Sequence, residues 1–169
     1  MSDVRIERLA DQGMITIRGD LDAPEFTKAL SLTPPKARQI TGGDVPLAWM
    51  SPDELLALCP NDAVAGHIAR LSKALEGQHH LLADVSDARA VFRLIGEDRA
   101  VREVLAKLSP ADLRPESLPH GEIRRTRLAQ IAAAFWLDAD GATLICFRSV
   151  ARYAEDILKV SCRDRVGHF

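Results

Sequence analysis

The chain has 169 residues, of which 47% are hydrophobic and 27% charged, a composition that supports a folded globular protein and excludes a disordered tail. Its formal net charge of −2 removes the broad positive field that gathers around phosphates, so nucleic acid is excluded as an expected partner. No stretch approaches the roughly 18 apolar residues of a membrane-spanning helix, and the start carries Asp3, Arg5, Glu7 and Arg8 where a secretory leader is apolar, so a cytoplasmic location without membrane contact is expected.

Val4, Ile6 and Leu9, then Gln12-Gly13, then Met14, Ile15 and Ile17 up to Gly19 give two alternating runs around a turn, which predicts an opening hairpin. Asp22 before Ala23-Pro24 predicts a helix start, with Asp22 as its cap and Phe26, Ala29 and Leu30 on one face; Pro34-Pro35 closes it. A second strand-turn-strand is expected from Ala37 to Met50 around Thr41-Gly42-Gly43-Asp44. Ser51-Pro52-Asp53-Glu54 predicts a short helix through Leu55, Leu56 and Leu58, capped by Ser51. Asn61 is placed to cap a longer helix, in which Val64, Ile68, Leu71 and Leu75 form one apolar stripe and Gly77 ends it.

His79 to Val85 and Ala90 to Ile95 read as strands on either side of Ser86-Asp87, and Gly96 introduces a helix with Val101, Val104, Leu105 and Leu108 on one face. After a polar loop from Arg114 to Gly121, Ile123 to Leu137 and Ala142 to Phe147 read as paired strands around Asp138-Ala139-Asp140-Gly141, although Ala132-Ala133-Ala134 would also suit a helix. Ser149 is placed to cap a last helix with Val150, Tyr153, Ile157 and Val160 as its apolar face. Hairpins interleaved with helices, without a regular βαβ repeat, predict an α+β fold with a mixed, mainly antiparallel sheet and packed helices. A single domain over 1–169 is expected, with an N-terminal lobe at 1–78, a core at 79–162 and a tail at 163–169.

Neither GxGxxG nor GxxxxGK[ST] is present, so Gly42-Gly43 reads as a turn and no phosphate cradle is expected. His79-His80 are consecutive on a strand and point to opposite faces, while His67, His120 and His168 stand on a helix, a loop and the tail; none has metal-ligand spacing. Cys59, Cys146 and Cys162 are odd in number and widely separated, which predicts free thiols acting as small hydrophobes. The densest positive cluster is Arg124-Arg125-Thr126-Arg127, where strand alternation puts Arg125 and Arg127 on one face and Arg124 on the other. Such a cluster suits an acidic partner surface, a phosphate or a folate tail, or forms a solvated strand rim. Asp84 and Asp87 flank Val85-Ser86 beside Arg89, an arrangement that serves turn capping or, in a dry pocket, acid–base chemistry. Arg124, Arg125, Arg127 and Asp84 are therefore the candidate partner or folate contacts, and no catalytic, cofactor-binding or metal-binding residue is expected.

Three segments carry a resemblance: LLADVSDARAVFRLIGEDRAVREVLAKLSPADL from Leu81 to Leu113, RRTRLAQIAAAFW from Arg124 to Trp136, and RSVARYAEDIL from Arg148 to Leu158. Together they resemble the sarcosine oxidase gamma subunit family. The family in turn resembles the folate-binding fold of the glycine-cleavage aminomethyltransferase, through Asp84-Val85-Ser86 and the helix from Gly96 to Leu108. The resemblance implies a non-catalytic assembly subunit in a complex with alpha, beta and delta subunits. It also implies that this complex converts sarcosine to glycine with FAD, FMN, NAD and tetrahydrofolate, and with zinc in the delta subunit, while the gamma chain binds no cofactor alone. A free-standing folate-binding or aminomethyltransferase-like protein is the alternative.

Overall fold

Segments of five to eight residues, apolar throughout or alternating with charged residues, become the nine strands of the computed structural model, which describes residues 4–163. The described residues form two compact units, one from residues 4–10 with 88–163 and the other from residues 11–87. Each unit has its own antiparallel sheet and its own pair of α-helices.

The first unit is built on strands β1 (Arg5–Leu9), β6 (Arg89–Ile95), β7 (Ile123–Leu128), β8 (Ile131–Asp138) and β9 (Gly141–Phe147), ordered β1-β6-β9-β8-β7. Helices α3 (Asp98–Ala106) and α4 (Ala151–Arg163) complete it. Phe92, Leu94, Phe135 and Leu144 from the sheet meet Val101, Val104, Leu105, Ala154 and Leu158 from the helices in one core. Removing these side chains from water is the main stabilising term.

The second unit contains β2 (Gln12–Gly19), β3 (Leu47–Ser51), β4 (Glu54–Pro60) and β5 (His80–Asp84), ordered β3-β4-β2-β5, with helices α1 (Pro24–Leu30) and α2 (Val64–Ala74). Its core joins Ile15, Ile17, Leu55 and Ala57 to Phe26, Leu30, Val64, Leu71 and Leu75. The α+β fold and the mainly antiparallel pairing follow the sequence expectation, as do the α2 stripe and the α3 face.

Several local expectations give way to long-range pairing. β1 and β2 do not form a hairpin: β1 pairs with β6, and β2 pairs with β4 and β5. The two strands belong to different units, so the chain crosses between them at 10/11 and again at 87/88. The boundary expected at 78/79 differs from this division because β5 is held by β2. The predicted helix over 51–58 is instead the turn between β3 and β4 followed by β4, whose Leu55 to Cys59 are all 5% exposed or less. A short apolar run buried throughout has no periodicity to separate strand from helix. The upstream expectation from Ala37 to Met50 reduces to β3 and a single bridge from Ile40 to Ala48.

Helix ends also differ. Neither Asp22 nor Asn61 caps with its side chain; α1 starts after Ala23, and α2 follows a short 3-10 turn at Asn61–Ala63. Ala132 to Ala134 lie in β8. On α4 the buried face is Ala151, Ala154, Leu158 and Ser161, whereas Tyr153 and Val160 are exposed and Ile157 is only partly buried. Small side chains let this helix lie close against its sheet, so the bulkier residues chosen by hydrophobicity fall beside the contact line. His168 and the tail beyond Arg163 lie outside the described residues.

Candidate functional site

β7 ends the order of its sheet, with β8 as its neighbour; its ends, Ile123 and Leu128, are buried, and between them half-buried Arg124 and Thr126 alternate with exposed Arg125 and Arg127. Leu128 reaches the core, while Arg125 and Arg127 are exposed. Arg124 points to the other face, as alternation requires, and is mostly buried, with 15% of its side chain exposed. Its Nη1 donates to Glu122 Oε2 at 2.8 Å, and its Nη2 donates to the Ser117 carbonyl. Arg124 thereby ties β7 to the loop before it. Of the three arginines, Arg125 and Arg127 are the ones presented outward.

The same face of the sheet carries an exposed aromatic residue that sequence reading did not single out. Phe147, at the end of β9, is 54% exposed, and the Arg89 guanidinium lies 5.9 Å from its ring centroid. That distance is within reach of a cation–π attraction. Arg89 is opposite Phe147 in the β6–β9 register, and Arg127 is opposite Ala132 in the β7–β8 register. Because Ala133 pairs with Cys146, the next position places Ala132 beside Phe147. One row therefore runs Arg89, Phe147, Ala132, Arg127 across four strands. The signal for Phe147 was the period of two on β9, but exposure at a strand end depends on what covers it, which alternation does not report.

Asp84 belongs to the other unit and closes β5. Its carboxylate accepts from the Ser86 hydroxyl at 2.6 Å and from the Ser86 N–H at 2.9 Å. The hydroxyl bond is the larger cause, and the backbone bond the second, of an Asp84 pKa below the ordinary carboxylate value. An ionised, exposed carboxylate engaged in its own turn is suited to capping rather than to proton transfer. Of the four candidate contacts, Arg124 and Asp84 are thus engaged within the chain, while Arg125 and Arg127 are exposed.

A cleft of about 510 Å³ in the same unit is lined by Arg18, Asp20, Phe26, Asp53, His79 and His80, among others. Its charges are largely paired within the chain, since Arg18 Nη2 donates to Asp53 at 2.7 Å and His80 Nδ1 meets the Gln78 carbonyl at 2.8 Å. Burial pushes the thiols of Cys59, Cys146 and Cys162 upward, and all three are free. A thiol raised in this way is a poor nucleophile. Among the described residues no three metal-binding side chains come together, and no helix is long and apolar enough to cross a membrane.

Comparison with known proteins gives these features a context. The family model described as sarcosine oxidase, gamma subunit family matches residues 18–161. The chain belongs to that family. A curated relative, the sarcosine oxidase subunit gamma of Corynebacterium sp. (strain P-1), is 36% identical over 88 residues, a match spanning 52% of this chain and 41% of the relative. A chain in the structure of heterotetrameric sarcosine oxidase from Corynebacterium sp. U-96 shares the fold with a TM-score of 0.83 at 22% identity, over 97% of this chain and 88% of that one. The aminomethyltransferase T of the glycine cleavage system from Bartonella henselae shares it with a TM-score of 0.65 at 16% identity, over 92% of this chain and 45% of that one. The gamma-family fold thus has the aminomethyltransferase relation that Asp84-Val85-Ser86 and the α3 segment suggested.

Proposed function

We propose that this gamma-family chain is the gamma subunit of a heterotetrameric sarcosine oxidase, a non-catalytic subunit that helps assemble the complex which converts sarcosine to glycine. The observation that carries the reading is the family match across 18–161, which extends through both structural units. The partners are alpha, beta and delta subunits, and in this reading FAD, FMN, NAD and tetrahydrofolate belong to the larger subunits and zinc to delta. Exposed Arg125 and Arg127 on a strand rim suit contact with a partner surface, because arginine and aromatic side chains are enriched at interfaces. Three unpaired cysteines agree with a reducing compartment, and the cytoplasm is part of the same proposal.

Co-expression with the three other subunits tests the assignment. The chain is expected to co-purify at stoichiometric yield in a complex that oxidises sarcosine, and to show no sarcosine oxidation alone. A chain that stays apart from the complex overturns it. Calorimetry of the isolated chain with tetrahydrofolate addresses the folate-binding alternative suggested by the shared aminomethyltransferase fold; tight binding would favour that alternative over an assembly role.

A further inference from the structure

We propose that an apolar cavity in the unit of residues 11–87 binds a small monocarboxylate, with a short alkyl tail inside and the carboxylate on Arg70 at the rim. The cavity has its source in the sequence. Ala57 of β4 lies between Ile15 of β2 and Leu47 of β3 in one cross-strand row, and a methyl group flanked by two larger side chains leaves a dent in the sheet. Leu32 and Val45, from the loop between α1 and β3, close over that dent and leave about 70 Å³. From α2, His67 and Arg70 line the same space, three residues apart and so on one face of the helix. Arg70 Nη1 donates to the Ala29 carbonyl at 2.9 Å, in the last turn of α1, where carbonyls lack intrahelical partners. That bond fixes the guanidinium at the rim. Its other N–H groups have no partner among the described residues.

Charge and size together select the occupant. Among the described residues no Asp or Glu lines the cavity, so Arg70 meets it unneutralised and favours an anion. The side chains of the floor offer only hydrocarbon, which cannot satisfy the oxygens of a bare inorganic anion and gives water no partners. An alkyl chain fills such a space instead. The volume is far below the roughly 300 Å³ at which drug-sized ligand sites begin, which excludes a folate or a nucleotide. At roughly 30 Å³ for each water-sized group, it takes a tail of about three carbons, as in butyrate. The site stands whether or not the chain assembles with other subunits, since all its residues lie within 11–87.

Titration of butyrate into the full chain, followed by the methyl NMR signals of Ile15, Leu32, Val45 and Leu47, tests the site. Saturating shifts are expected, with a dissociation constant of about 1 mM or below. Propylamine, which keeps the tail and reverses the charge, and sulfate, which keeps the charge without the tail, are expected to bind at least about tenfold more weakly. Arg70→Gln is expected to weaken butyrate at least about tenfold. Ala57→Val fills the dent, leaves Arg70 in place and is expected to abolish the shifts, whereas Lys73→Gln, on α2 outside the cavity, leaves them unchanged. Ligand-free spectra report whether each variant keeps its fold; Arg70 is exposed, so Arg70→Gln decides even if Ala57→Val does not fold. Absence of shifts at about 10 mM butyrate, equal binding of propylamine or sulfate, or wild-type affinity in Arg70→Gln overturns the site. On the co-expressed complex, ligand-observed NMR is expected to give the same dissociation constant. Loss of binding there shows that a partner's side chain occupies the cavity and overturns the small-molecule reading, whereas failure of the complex to form removes the subunit assignment and leaves the site standing.

Discussion

Arg102 shows how one buried cation organises a loop. Only 7% of the residue is exposed. Its Nε donates to Asp98 Oδ2 at 2.7 Å, and its Nη1 donates to the carbonyls of Leu113 at 2.7 Å and Leu118 at 2.9 Å. Substitution by Met keeps much of the volume but strands two carbonyls and a carboxylate, so Arg102→Met is expected to lose about 3–5 kcal/mol of stability in urea denaturation. The hydrogen bond from Arg102 is the main reason the Asp98 pKa lies below its ordinary value; burial opposes it and His120, whose Nε2 is 3.0 Å from Asp98 Oδ1, adds to it. A depressed folded-state pKa contributes stability above the unfolded value of about 3.9, and that stability is lost as pH falls through the folded pKa. The stability gap between wild type and Asp98→Asn is therefore expected to narrow on acidification, measured as urea midpoints from pH 7 to pH 2.

Gly141 is a second residue whose identity follows from its neighbours. Its φ is 143°, and a Cβ there would lie 1.9 Å from the Leu94 carbonyl oxygen on β6. A backbone atom in an inner strand pair cannot move aside as a flexible side chain would. Gly141→Ala is expected to destabilise by about 3 kcal/mol or more, a loss visible as a lowered denaturation midpoint at unchanged slope.

At the scale of elements, α4 is decided by small residues. Ala154 is fully buried in the core with Leu158, and the Ser161 hydroxyl donates to the Val104 carbonyl of α3 at 3.0 Å, while Lys107 Nζ reaches the Ser161 carbonyl at 2.8 Å. An enlarged side chain at this position must push the helix from its sheet. Ala154→Leu is expected to cost about 1–3 kcal/mol, whereas Tyr153→Leu on the exposed side changes stability by less than about half a kcal/mol; thermal melts of the two variants decide between them.

This helix also marks what the sequence conveyed. Where large apolar residues face a core, as in α2 and α3, periodicity located both the helix and its buried side. Where Ala and Ser make the closest contacts, it found the helix but chose the neighbouring face. β4 carries a continuous apolar run, so its length and burial fit either a strand or a helix until its partners β2 and β3 are known. The β7 alternation, by contrast, separated Arg124 from Arg125 and Arg127 correctly, because a period of two depends only on the strand itself. Phe147 escaped notice since strand alternation gives the side of a residue and not its cover.

At the scale of the molecule, the chain order makes the two units unequal. The unit from residues 11–87 is continuous, and all pairings of β2, β3, β4 and β5 are made within it. The other unit is split by this insertion: β1 must return to β6 across the intervening chain, and Arg5 to Leu9 pair in order with Ile95 to Val91. That closure carries a loop-entropy penalty that grows slowly with length, but pairing cannot begin until β6 exists. A fragment of residues 11–87 is therefore expected to fold alone with a cooperative urea transition, since it keeps its whole sheet and the core that the sheet forms with α1 and α2. A fragment of residues 88–169 retains α3, α4 and four strands but leaves one edge of β6 unpaired and loses the cover of Val4 and Ile6 from its core. It is expected to aggregate at micromolar concentration, and a peptide of residues 1–10 supplied in trans is expected to raise its solubility and cooperativity. Light scattering with and without the peptide measures this directly: a fragment of 88–169 that stays monomeric and unfolds cooperatively without the peptide would show that β1 is dispensable and that the core closes on the four remaining strands.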